Sequence, residues 1–278
     1  MDEATRSFLQ HLEAMELLSR AGSVLNAADV RPMALKGIWL QLEAYDPPHE
    51  RPVADVDLLV RDDEFARATA CLADAGYRAR HPDPRQVVLR RPSDPLSIDL
   101  HRALFLPGSF SLPASEMLER GRGPVRVRGV ELFLPDPRDG FAHLIGHATR
   151  SRERIGDLRY AQDFARIGAS TNVTAAEVAE HLDQCGMGRA ARYVLAGPEH
   201  QNEAFCQSVL AALTRDPVGD ALARACRWAN LQLDSKRRAG AAVTYLLERS
   251  LPRGASALGR EATRRLVTHA RDWFARGP

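Results

Sequence analysis

The stretch Arg51-Pro-Val-Ala-Asp-Val-Asp-Leu-Leu-Val60 places two acidic residues directly before an apolar run. Side chains alternate between the two faces of a strand, so Asp55 and Asp57 share one face at a spacing of about 6–7 Å. Two carboxylates in that arrangement need a divalent cation, an arginine or water between them. The pair therefore indicates either a cation-binding strand or a strand whose first turn is solvated.

A second feature lies upstream, where the apolar segment 30–35 ends at Lys36-Gly37 and a helical pattern begins at Ile38. The N-terminus of such a helix presents free N–H groups and the positive end of the helix dipole to an anion. Gly37 would let a phosphate approach the backbone, and Lys36 would add a point charge. The alternative is a tight-turn glycine beside a solvated lysine.

A third feature is the segment Ser97-Ile98-Asp99-Leu100-His101, which alternates polar and apolar residues as a strand does. Asp99 and His101 share a face of this strand. If it lies beside the first strand, three carboxylates and a histidine converge, and Mg²⁺ suits such a set of hard oxygen ligands. The sequence thus indicates a metal site, with Mn²⁺ as an alternative to Mg²⁺.

The rest of the chain divides into a mixed region and a helical region. Strand signals stop at Pro137, after which the segments are rich in Ala and Leu. We therefore predict an α+β fold, with a small mixed β-sheet flanked by helices and an α-helical C-terminal region, divided into domains 1–136 and 137–278. The patterns predict helices over 4–28 and 65–75, a turn over 121–124, and strands over 77–80, 86–90, 96–100, 125–127 and 130–134.

Composition indicates a globular protein of the cytoplasm. The chain has 278 residues, of which 45% are hydrophobic and 27% charged. Its cysteines are far apart, which favours reduced thiols over disulfides or a zinc site. We find no signal-like N-terminal segment and no apolar run near the roughly 20 residues of a membrane helix, so we expect a cytoplasmic protein without membrane contact. The cysteines are Cys71, Cys185, Cys206 and Cys226.

Charge is distributed unevenly along the chain. Residues 220–278 contain 12 Lys or Arg and 5 Asp or Glu, a net charge of +7 in a chain whose total is +2. A basic C-terminal third can face a phosphate-rich partner such as nucleic acid. The more frequent explanation of Arg-rich helices is a solvated face, and we favour it.

His143 and His147 stand four residues apart, the spacing of zinc-ligand pairs on a helix. The glutamate that would follow the first histidine is replaced by Leu144, and no third ligand is apparent. We therefore favour core or interdomain histidines over metal ligands.

Taken together, these residues resemble a known family, the uncharacterised bacterial nucleotidyltransferases of the DNA polymerase β-like superfamily. The resemblance covers about residues 30–165 and includes the helical segment Pro135–Phe164, with His147 and Asp163. It is carried by Leu35-Lys36-Gly37, Tyr45, Arg51-Pro52, Asp55-Val56-Asp57-Leu58-Leu59-Val60 and Ile98-Asp99-Leu100-His101.

The resemblance implies an enzyme that transfers a nucleotidyl group from a nucleoside triphosphate such as ATP and releases pyrophosphate. Mg²⁺ would be held by Asp55, Asp57 and Asp99, and the phosphates would lie against Lys36-Gly37. The superfamily usually carries Gly-Ser at that turn, so Lys36 would replace the serine contact electrostatically. Arg51 would steady phosphate charge, with His101 as a supporting or acceptor-contacting residue.

The sequence leaves the acceptor open between three possibilities. The first is a hydroxyl or phosphate on a small molecule or a protein, which we favour. The second is RNA, gripped by the basic C-terminal third. The third is no acceptor at all, in a non-catalytic nucleotidyltransferase-like binding module of the toxin–antitoxin type.

Overall fold

The computed structural model describes residues 2–106, 109–150, 158–232 and Leu247. Most of the basic C-terminal third, and the helices expected there, lie outside the described residues. The helices are α1 (Glu3–Ala27), α2 (Lys36–Glu43), α3 (Phe65–Asp74), α4 (Ala114–Glu119), α5 (Pro137–Arg150), α6 (Leu158–Ser170), α7 (Ala175–Gln184), α8 (Gly188–Leu195), α9 (Ala204–Ala212) and α10 (Pro217–Gln232). The strands are β1 (Met33–Ala34), β2 (Asp55–Leu59), β3 (Arg78–Asp83), β4 (Gln86–Arg90), β5 (Ser97–His101), β6 (Arg122–Val127) and β7 (Val130–Leu134).

The strands form one mixed sheet in the order β3-β4-β5-β2-β1-β7-β6. β2 lies at its centre, parallel to β5 on one side and antiparallel to β1 on the other. The other pairs are antiparallel, except β1 with β7. The predicted class, a mixed sheet flanked by helices and followed by a helical region, is confirmed.

The two faces of β2 and β5 differ in chemistry because their residues alternate. One face buries Val56, Leu58, Ile98 and Leu100 in a core shared with α1 and α3. The opposite face carries the acidic residues and looks toward the side on which the helical region packs. There a second core runs from the sheet through α2 into the helices that follow residue 136.

One local prediction is wrong. The Gly- and Pro-rich segment 121–124 reads as a turn, but β6 already begins at Arg122. A register shift between Arg122 and Val125 accommodates Gly123, whose φ is +130°, and the proline that follows it. β6 is an edge strand, where a proline does not interrupt a hydrogen-bonded ladder on both sides.

The division at residue 136 stays a prediction. Its support is that β7 ends at Leu134 and that only helices follow within the described residues. Asp136 accepts a hydrogen bond from the backbone N–H of Arg138 at 2.9 Å, which starts α5 at that point. None of the described helices combines the length and hydropathy that a membrane crossing requires.

A buried ionic cluster ties α4, α5 and α7 together around Asp139, whose side chain is fully buried. The Arg120 guanidinium donates to both Asp139 oxygens at 2.9 and 3.0 Å. His181 Nε2 lies 2.7 Å from Asp139 Oδ1. Burial alone would lower the pKa of His181, but its hydrogen bonds to Asp139 and Cys185 raise it to about 9.

We expect this histidine to make folding stability fall with rising pH. Its folded-state pKa is above the unfolded value near 6.5, so its contribution is complete below pH 6.5 and is lost as pH rises through about 9. Allowing for solvent screening, the loss should be about 1–2 kcal/mol. Urea unfolding of wild type and His181→Gln between pH 6 and 9.5 measures it. An equal slope in both proteins would contradict the assignment.

Candidate functional site

The acidic residues meet because β2 and β5 pair in parallel with Asp57 directly opposite Asp99. Asp55 stands opposite Ser97, two positions earlier on the same face. The condition set by the sequence, that the two strands lie side by side, is therefore fulfilled. The distance between the acids is fixed by the sheet ladder and not by flexible loops.

The described residues contain one group able to hold a metal ion, formed by Asp57, Asp99 and His101. One ligand atom from each lies within 4.8 Å of the others. Asp55 is outside this group, although it lines the same cleft as Asp57. The structure thus groups His101, and not Asp55, with Asp57 and Asp99, because β5 presents His101 on the same face as Asp99.

Asp57 is the most buried of the three acids on β2 and β5, with 2% of its surface exposed. Its Oδ1 accepts a hydrogen bond from Lys36 Nζ at 2.6 Å and lies 2.9 Å from His101 Nε2. Burial would raise the pKa of Asp57, but the Lys36 ammonium and the His101 hydrogen bond hold it well below its usual range. Asp57 is therefore a carboxylate at every physiological pH.

Asp99 has the opposite electrostatic setting. Burial, followed by the charges of Asp57 and Asp55, raises its pKa to about 7. Burial also lowers the pKa of His101, against the opposing hydrogen bond to Asp57. His101 is then neutral and can donate Nε2–H to Asp57, while Asp99 can exchange a proton near neutral pH.

The Lys36-Gly37 turn lies beside this acidic group. α2 begins at Lys36, and its N-cap Leu35 makes no side-chain capping bond, which leaves the first N–H groups of the helix for an anion. Leu35 donates its N–H to the Asp57 carbonyl at 3.0 Å, which anchors the turn to β2. Lys36 adopts a φ of +44°, a left-handed conformation held in place by these neighbours.

Gly37 has no room for a side chain, because an added Cβ would lie 2.7 Å from Cγ1 of Val53. We therefore expect Gly37→Ala to displace the loop before β2 and to weaken anion binding at the α2 N-terminus by about 10-fold or more, as loss of a charge-assisted hydrogen bond does. Adding Val53→Ala removes the obstructing methyl groups and should restore most of the binding. Titration with triphosphate checks both variants, and failure of the double variant to recover would contradict the steric cause.

Arg51 is held at the cleft by a residue from the helical region. Its guanidinium donates to both oxygens of Asp163, at 2.6 and 2.9 Å, and Tyr45 Oη donates to Asp163 Oδ1 at 2.8 Å. The Asp163 side chain is fully buried. Burial alone would lower the pKa of Arg51, but the charge of Asp163 raises it. Arg51 is thus a fixed cation.

An open cleft lies beside the acidic group, and Asp57 lines it whereas Asp99 and His101 do not. Its floor contains the Lys36-Gly37 turn, the loop from Arg51 and the two acids of β2. Its opposite wall contains His147, Arg159 and Tyr160. His147 Nδ1 lies 2.7 Å from Tyr160 Oη. His143 instead is buried against Phe105, and burial, followed by the Lys36 charge, lowers its pKa to about 3.

Comparison with known proteins decides the family. The family model of the uncharacterised nucleotidyltransferases matches residues 2–200, well beyond the segment that carries the resemblance. The chain belongs to this nucleotidyltransferase family. The resemblance found in the sequence is thereby confirmed, and with it the enzyme class. A sequence search of curated proteins gave no match.

A solved structure similar to this nucleotidyltransferase is the antibiotic-resistance factor ANT(2'')-Ia. The two share 10% sequence identity, with a TM-score of 0.44. The similarity covers 61% of this chain and 89% of the other. Likeness of this degree carries no argument about what the present enzyme acts on.

Sequence reasoning gave no role to Asp163, Tyr45 or Arg159 of the nucleotidyltransferase. A signal for Asp163 was available, because it stands on the buried face of α6 with Tyr160, Phe164 and Ile167. An aspartate among buried aromatic and aliphatic positions requires a charged partner. Nothing local in the sequence indicated that the partner is Arg51, 112 residues earlier.

Proposed function

We propose that this nucleotidyltransferase moves a nucleoside monophosphate from a nucleoside triphosphate to a hydroxyl or phosphate of a small-molecule or protein acceptor. The observation that supports it most is the pairing of Asp57 with Asp99 beside the uncapped N-terminus of α2. An acid pair next to an anion site suits a cation–triphosphate complex. A non-catalytic module would retain the electrostatic cost of the buried acids without using them.

The donor set fits Mg²⁺, with Mn²⁺ as the alternative. Asp57 and Asp99 supply hard carboxylate oxygens, and the nitrogen of His101 is better tolerated by Mn²⁺. When bound, such an ion would polarise the α-phosphoryl group and lower the pKa of the acceptor hydroxyl. Asp55 faces the same cleft and is proposed as a further ligand through water or directly.

The protein's own groups would bind and orient the triphosphate. The N–H groups at the start of α2 and the fixed guanidinium of Arg51 line the cleft, where they would hold phosphate oxygens. Lys36 adds a positive charge between the phosphates and Asp57. Binding the triphosphate at several points aligns the α-phosphorus with the acceptor and lowers the entropic part of the barrier.

In the transfer itself, the acceptor oxygen forms a bond to the α-phosphorus while the bond from that phosphorus to the pyrophosphate oxygen breaks. Pyrophosphate leaves with the bonding electron pair. Asp99 would either help to hold the ion or accept the proton of the acceptor hydroxyl on its carboxylate. His101 would orient Asp57 through Nε2 or contact the acceptor.

Calorimetric titration tests the proposal. ATP, GTP, CTP and UTP are each titrated, with and without Mg²⁺, into wild type and the Asp55→Ala/Asp57→Ala double variant. We expect one nucleotide to bind wild type in Mg²⁺ and to lose that binding in the double variant. Binding of none of the four by a folded wild type would contradict the proposal, as would equal binding by the double variant.

A further inference from the structure

The ion pair between Lys36 and Asp57 limits how many metal ions the acidic group can hold. Lys36 Nζ and His101 Nε2 both approach the same oxygen of Asp57, Oδ1, at 2.6 and 2.9 Å. A carboxylate that bridges two ions about 3.5–4 Å apart gives one oxygen to each. Because Oδ1 already accepts hydrogen bonds from Lys36 and His101, only Oδ2 of Asp57 remains to ligate an ion, and it can ligate one ion.

The Lys36 ammonium also contacts the Asp57 oxygen that a second ion would need. Lys36 is the first residue of α2, so its side chain connects Asp57 to the helix N-terminus proposed for the triphosphate. An ammonium has three N–H donors, of which Asp57 takes one. The other two suit phosphate oxygens, and a compact cation between a carboxylate and a phosphate is what a nucleotide-bound metal ion supplies.

The backbone holds this cation in place. Leu35 is bonded through its N–H to the Asp57 carbonyl, and its own carbonyl accepts the Trp39 N–H at 3.3 Å. Lys36 itself keeps the left-handed φ of +44°, a strained conformation for a residue other than glycine. Only 15% of the side chain is exposed. A solvated lysine beside a tight turn would need neither the strain nor the burial.

On the basis of the proposed function, we propose that the Lys36 ammonium replaces the divalent ion that would join Asp57 to the triphosphate. The site then takes a single exchangeable ion, between Asp99 and the remaining oxygen of Asp57. Because the lysine is covalently part of the chain, a chelator removes only that ion. The triphosphate should therefore still bind in EDTA.

The first test counts ions by electron paramagnetic resonance of Mn²⁺, in the presence of a saturating non-hydrolysable α,β-methylene analogue of the nucleotide found by calorimetry. Wild type should give the spectrum of magnetically isolated Mn²⁺. Lys36→Gly, which tolerates the positive φ and opens the position, should give an exchange-coupled pair. A coupled pair in wild type overturns the inference, and so does an isolated ion in folded Lys36→Gly.

The second test measures binding of the same analogue in EDTA and does not depend on the glycine variant. Wild type should retain affinity within about 10-fold of its value in Mg²⁺, whereas Lys36→Met, which keeps the volume and removes the charge, should lose about 10- to 100-fold. Arg61→Met, at a cation outside the cleft, serves as the control and should behave as wild type. Loss of wild-type binding in EDTA overturns the inference.

These measurements distinguish failure of the proposed function from failure of the role of Lys36. If wild type binds neither Mn²⁺ nor any nucleotide, the proposed function is overturned, and the role of Lys36 with it. If wild type binds a nucleotide with a coupled Mn²⁺ pair, or only in the presence of metal, the proposed function stands and the role of Lys36 alone is overturned.

Discussion

Asp57→Asn is expected to reduce nucleotidyl transfer by about 10³-fold or more. The substitution removes the carboxylate that belongs both to the group able to hold a metal ion and to the ion pair with Lys36. The amide has the same shape but no charge. Lys36 would remain largely buried without a counter-charge, so the free energy of unfolding should fall by about 3–5 kcal/mol. Pyrophosphate release and urea unfolding measure the two effects.

Asp94→Asn is the matched control for this variant. Asp94 is also buried, with 4% of its surface exposed, and it accepts from Arg20 Nη2 at 2.9 Å, but it does not line the cleft. Its loss should lower stability and leave transfer per folded molecule unchanged. If Asp57→Asn kept more than a tenth of wild-type transfer, a figure about 100-fold above the expectation, the metal-dependent mechanism would be wrong.

The second large effect is expected at Asp163, the partner of Arg51. Asp163→Asn keeps one acceptor oxygen but turns an N–H₂ group toward the guanidinium, so the two-bond contact is lost. We expect about 3–5 kcal/mol lower stability and a 10- to 100-fold weaker binding of the triphosphate, because Arg51 loses its fixed orientation. Calorimetry with the nucleotide and unfolding in urea separate these two losses.

Asp139→Asn provides a close structural match. Asp139 is likewise fully buried, and both of its oxygens accept hydrogen bonds from one arginine, Arg120. His181 is its third contact, and Asp139 lies outside the cleft. A similar loss of stability in both variants, with weaker nucleotide binding in Asp163→Asn alone, would identify Asp163 as a positioning residue. Equal binding by the two folded variants would reduce Asp163 to a structural role.

The sequence was sufficient to predict much of the sheet and the acidic face. Alternation along β2 and β5 follows directly from the two-residue period of a strand, so the pattern alone assigns Asp55 and Asp57 to one face of β2, and Asp99 and His101 to one face of β5. The break between Leu35 and the helix pattern likewise located the turn at which α2 begins. These are local properties that a few neighbouring residues determine.

The remaining features depend on contacts between distant segments. Nothing in either strand specifies that Asp57 lies opposite Asp99, since a shift of two residues would keep every side chain on the same face. The approach of Lys36 to Asp57 requires β1 and β2 to be neighbours, and the Arg51–Asp163 contact requires the packing of α6. The prediction of a turn over 121–124 was wrong because the glycine and proline there accommodate a register shift in an edge strand.

The central position of β2 also has a consequence for the order in which the chain folds. Lys36 reaches Asp57 across 21 residues, and His101 reaches it across 44. The entropic cost of closing a loop grows by about 0.6 kcal/mol for each doubling of its length, so the lysine contact is the easier of the two to form. Asp57 can acquire its counter-charge before β5 delivers a second carboxylate. The nascent chain then need not bring two uncompensated acids together in order to complete its sheet.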